Sequence, residues 1–189
     1  MAGVASPMLR RDSRGAARFL TGLVIGEVLG GLVLAAVVLL VGSLLHAVLP
    51  LAVRLVAVAV AAVVFGVADW RGRTPHTYRQ VPRQLVNKLT PGTLGLVWGF
   101  DLGLLFTTQK VVSLLWMSLA AVLLIDPMAA PFALVVWSVA AGLVVVAWTL
   151  KPNNQLRLAQ ELPWIRVAGR MSGVAMVAAG VATVLMAMA

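Results

Sequence analysis

The chain has 189 residues, 61% of them hydrophobic and 11% charged, with a mean hydropathy of +1.01. Soluble domains carry about 25% charged residues, so this composition excludes an ordinary water-soluble core. A chain of this size also leaves no room for a soluble catalytic domain beside a membrane one. The formal net charge of +9 rests on basic residues that lie just outside long apolar runs. That is the pattern of cytoplasmic loops rather than of a nucleic-acid surface. The partner it implies is the lipid bilayer, with no nucleic acid.

There is no cysteine, which excludes disulfides, thiol redox chemistry and cysteine-ligated metals within this chain. The two histidines, His46 and His76, lack metal-ligand spacing. No metal and no cofactor is expected.

Residues 1–18 form a short basic segment carrying Arg10, Arg11, Arg14 and Arg18, read as cytoplasmic. The apolar run that follows, 19–49, is twice the length of a signal-peptide core and reads as an uncleaved first span. As a helix it is about 46 Å long against a hydrocarbon core of about 30 Å, so it must tilt, project or bend. Gly22, Gly26 and Gly30 recur at every fourth residue and line one stripe of the kind that lets helices approach closely. A short outer turn around His46 and Pro50 leads to a second span at 51–68. Arg54 sits one turn inside it and is expected to snorkel to the headgroups.

Residues 69–93 read as a basic cytoplasmic loop, with Arg71, Arg73, Arg79, Arg83 and Lys88 and breakers at Pro75, Pro82 and Pro91. A short interfacial helix is expected within 78–89. The third span, 94–125, reads LGLVWGFDLGLLFTTQKVVSLLWMSLAAVLLI. It too exceeds a simple crossing. The favoured reading is one straight, tilted helix; the alternative is a break at Thr107-Thr108-Gln109-Lys110. A short outer turn at 126–131 precedes a fourth span at 131–150. A second basic loop at 151–170 then leads to a last span at 172–189, just long enough to cross.

The expected fold is therefore all-α: a polytopic transmembrane helix bundle forming a single domain over 19–189. It has about five spans, a cytoplasmic N-terminus and interfacial helices in the basic loops. The expected location is the cell (cytoplasmic) membrane, as a multi-pass protein.

Two segments repeat. Residues 22–30 (GLVIGEVLG) and 95–103 (GLVWGFDLG) share the pattern GLVxGxxLG, with Gly95, Gly99 and Gly103 matching Gly22, Gly26 and Gly30. Each copy carries one carboxylate, Glu27 and Asp101, one position apart. Charges inside a span are expensive and mark protected or functional interiors. Glu27, Asp101, Thr108 and Lys110 are thus the candidate intramembrane polar site, for a cation or a proton. On a straight helix Asp101 and Thr108 share a face, whereas Asp101 and Lys110 lie on opposite ones.

The two glycine-rich openings resemble those of spans in the DsbD/CcdA-type transmembrane electron carriers. In that family each opening leads to a Pro-Cys pair and six spans are expected as inverted repeats. Here the equivalent places read Gly31-Leu32-Val33 and Thr107-Thr108-Gln109. The resemblance implies a shared scaffold without thiol–disulfide exchange, because the reacting sulfur atoms are missing.

The chain carries neither a nucleophile triad nor a phosphate-binding loop, so no enzyme activity is expected. The size and the small-residue stripes point to a non-enzymatic subunit that packs with other membrane-protein subunits or with copies of itself. The intramembrane carboxylates point instead to a small transporter or channel-like protein.

Overall fold

The computed structural model describes residues 12–73, 88–105, 113–150 and 154–188, with side chains for all of these except 148–166 and 186–188. It is all-α: 90% of the described residues are helical, and no strand occurs among them. In chain order the elements are α1 (Ser13–Val48), α2 (Leu51–Trp70), α3 (Pro91–Gly103), α4 (Leu114–Ile125), a 3-10 turn (Pro127–Ala129), α5 (Ala130–Leu150) and α6 (Asn154–Met188).

Four helical segments are long and apolar enough to cross a membrane: Ser13–Val48, Leu51–Trp70, Pro127–Ala147 and Val167–Leu185. Only 22–33% of each apolar window is buried. The uncovered positions are filled with large hydrophobics, among them Leu40, Leu44, Val60, Val64, Leu143 and Leu185. An exterior this apolar has no counterpart in water-soluble monomers. The four helices fit an integral membrane protein of the multi-pass kind.

Several boundaries differ from the sequence expectation. The first helix begins at Ser13, so the last part of the basic segment is helical. Asp12 makes this possible: its Oδ1 accepts the Gly15 N–H at 2.9 Å, satisfying one of the free donors of the first turn. Residues 154–170, expected as a basic loop carrying an interfacial helix, belong instead to one 35-residue helix, α6, that continues without a break into the last span. The expected interfacial helix at 78–89 falls almost entirely outside the described residues.

The favoured straight third span is replaced by two helices. Helix α3 has 13 residues and α4 has 12, about 20 and 18 Å long, so neither crosses a 30 Å core alone. Pro91 starts α3, where its missing N–H costs nothing. The helix ends at a buried Leu105 with φ of 62°, a left-handed conformation that glycine ordinarily supplies at helix ends. Thr107-Thr108-Gln109-Lys110 lies outside the described residues.

The chain divides into two compact units. Unit 1 comprises residues 1–35, 77–108 and 131–160; unit 2 comprises 36–76, 109–130 and 161–189. The core of unit 1 is Phe19, Leu20, Leu23, Leu94 and Trp98. Its centre is an edge-to-face pair, Phe19 on Trp98, with centroids 5.9 Å apart and planes at 80°. In unit 2, α2 packs along α4 and, in antiparallel register, along α6. There Gly66 lies opposite Gly173, and Gly180 opposite Ala59.

Candidate functional site

In unit 1 the two copies of the repeat lie against each other. Cβ atoms built at Gly22, Gly26 and Gly30 of α1 would strike the α3 backbone at Gly92, Leu96 and Phe100 in turn. Those built at Gly95, Gly99 and Gly103 of α3 would strike the carbonyl oxygens of Phe19, Leu23 and Glu27. The partners advance together along both helices, so α1 and α3 run parallel. Six glycines interlock backbone to backbone, which is what small-residue stripes permit in lipid.

The two repeat carboxylates are used differently. Glu27 is 2% exposed. It projects toward α5, where its Oε2 occupies the space a Cβ of Gly142 would need. One turn further along α1, Gly31 makes room for Ser138 of α5, itself buried. Asp101 is half-buried and lies about 200° around α3 from its glycine stripe. The one-position offset between the copies thus sets the acids on different flanks. Glu27 takes the α5 side of α1, and Asp101 takes the side of α3 away from α1. The other two residues of the expected site, Thr108 and Lys110, lie outside the described residues.

A second polar constellation, in unit 2, was not expected from the sequence. Asp69, placed in a loop by the sequence reading, is in the last turn of α2 and only 3% exposed. Its Oδ2 accepts the Ser113 N–H at 2.7 Å and its Oδ1 accepts the Ser113 hydroxyl at 2.6 Å. Ser113 is the residue that opens α4. A carboxylate thus stands at the positive end of the α4 dipole. At the other end the Leu124 carbonyl accepts from Arg54 Nη1 at 3.3 Å and lies 3.0 Å from His46 Nε2. Arg54 is half-buried and bound to backbone. It is held there because α4 presents its unsatisfied terminal carbonyls beside the start of α2. The half-helix α4 is therefore held at both ends by side chains complementary to its dipole. A sequence signal existed: Asp69 ends an apolar run and Ser113 opens one, but nothing in their spacing joins them.

No protein-family model matches the chain, and neither a curated protein nor a solved structure matches it.

Proposed function

We propose that this integral membrane protein is a non-enzymatic subunit that packs with other membrane proteins in a larger assembly. In this reading the basic 69–93 segment lies on the cytoplasmic side of the cell membrane. The observation that carries the reading is the use made of polar groups within the apolar helices. Asp69, Ser113, Arg54 and His46 tie α4 to its neighbours, and Glu27 is fitted against Gly142. These groups join helices to one another, as expected of a scaffold whose apolar exterior is its working surface. Affinity purification in a mild detergent tests this. A larger membrane protein should co-purify in fixed stoichiometry. A lone monomer or a closed homo-oligomer would contradict it.

The second reading, a small cation- or proton-coupled transporter, is favoured by a specific pair of features. A buried acid inside a span is a default marker of an ion or proton path, and Glu27 is such an acid. Interrupted helices such as α3 and α4 accompany binding sites in transporters. In proteoliposomes Glu27→Gln would then abolish an ion flux that the parent supports. Equal flux with and without the substitution would contradict this reading.

A further inference from the structure

The α2–α6 face of unit 2 contains a groove of about 310 Å³. Ala59 and Gly180 lie at its floor, and its walls include Val60 and Val63 of α2 and Val181 and Val184 of α6. Both helices are long and apolar enough to cross the membrane, so the groove opens to hydrocarbon.

The rows that form its walls continue in one direction. On α2 the outward row runs from Val60 through Val64 and Val67 to Arg71, in steps of three and four residues that keep one helix face. On α6 it runs from Val184 through Val177 to Arg170, in steps of seven. Because the two helices are antiparallel, with Gly66 beside Gly173, both rows end in arginine at the same end of the groove. Arg71 and Arg170 are exposed, as are Val67 and Val174 on the way to them. Val63 lies eight residues from Arg71, and Val181 eleven from Arg170, about 12 and 16 Å along the helices. That is about the depth of one leaflet of a 30 Å core.

We propose that this face seats one anionic phospholipid, with its phosphate between Arg71 and Arg170 and an acyl chain in the groove. The charge selects the ligand. Two guanidinium groups at the headgroup level match a phosphate bearing net negative charge, which each can engage with two hydrogen bonds. The wholly apolar walls below match the chain.

The test is native mass spectrometry of the full-length protein released from mixed micelles of phosphatidylglycerol and phosphatidylcholine. One phosphatidylglycerol should be retained in preference to phosphatidylcholine. The double substitution Arg71→Gln/Arg170→Gln should cut that preference on the order of tenfold, while the control Arg14→Gln/Arg18→Gln should leave it. Val181→Phe fills the groove from an exposed position and should release the lipid with both arginines intact. Equal retention of the two lipids by the parent would overturn the proposal. So would equal losses from the two arginine pairs, which mean general attraction to a basic surface. Retention unchanged by Val181→Phe would overturn the groove as the seat.

Discussion

Asp69 and Ser113 are 44 residues apart in the chain, yet both are buried and share two short hydrogen bonds. Hydrogen bonds to an ionised group are stronger than neutral ones, and removing the acceptor strands buried donors. Asp69→Ala leaves the Ser113 N–H and hydroxyl without these bonds and should cost about 1–3 kcal/mol. Asp69→Asn keeps one acceptor oxygen for the amide and offers a donor to the hydroxyl, so it should cost less. Thermal melting in detergent checks the order: parent highest, Asn intermediate, Ala lowest. Identical melting of all three would mean that α4 does not depend on this contact. Ser113→Ala keeps the N–H bond and should fall between the Asn and Ala variants or beside the Asn one.

At the scale of elements, the α1–α3 contact depends on the absence of side chains at particular places. A methyl group at Gly99 would meet the Leu23 carbonyl, whereas one at Gly92 would find its nearest neighbour, the Arg18 carbonyl oxygen, at an ordinary 3.7 Å. Gly99→Ala should therefore destabilise by about 1–3 kcal/mol through overpacking. Gly92→Ala, in the first turn of the same helix, should be neutral or slightly stabilising. Matched melting curves would show that the helices do not touch there. The glycine repeat was legible because a stripe at every fourth residue has a geometric meaning on any helix. The relation between its acids was less so: Glu27 and Asp101 look equivalent by depth, but one residue of offset is about 100° of rotation. A break in the third segment was legible only as the alternative, at 107–110; the end of α3 at Leu105 was hidden for a different reason. Leu102, Leu104, Leu105 and Phe106 read as continuous apolar sequence, and a leucine in the left-handed conformation announces itself through no residue type. The reach of α6 back to Asn154 was likewise obscured, because Pro163 and the charges between 151 and 170 resemble a loop in composition.

At the scale of the whole molecule, hydropathy alone was enough to find the membrane class, because each long helix shows apolar residues on its exposed and buried sides alike. What hydropathy does not carry is which helices run side by side. That information resides in the match between the two repeat copies, which pack in parallel in unit 1. The chain has no cysteine, so introduced pairs report without background. Phe19 and Leu94 belong to one core cluster, and Leu102, which packs against that cluster, lies eight residues beyond Leu94, about 12 Å further along α3. Oxidation of the protein in liposomes should form a disulfide rapidly in Phe19→Cys/Leu94→Cys and slowly or not at all in Phe19→Cys/Leu102→Cys. Fast closure of the second pair with failure of the first would place α3 antiparallel to α1 and contradict the interlocked, parallel repeat.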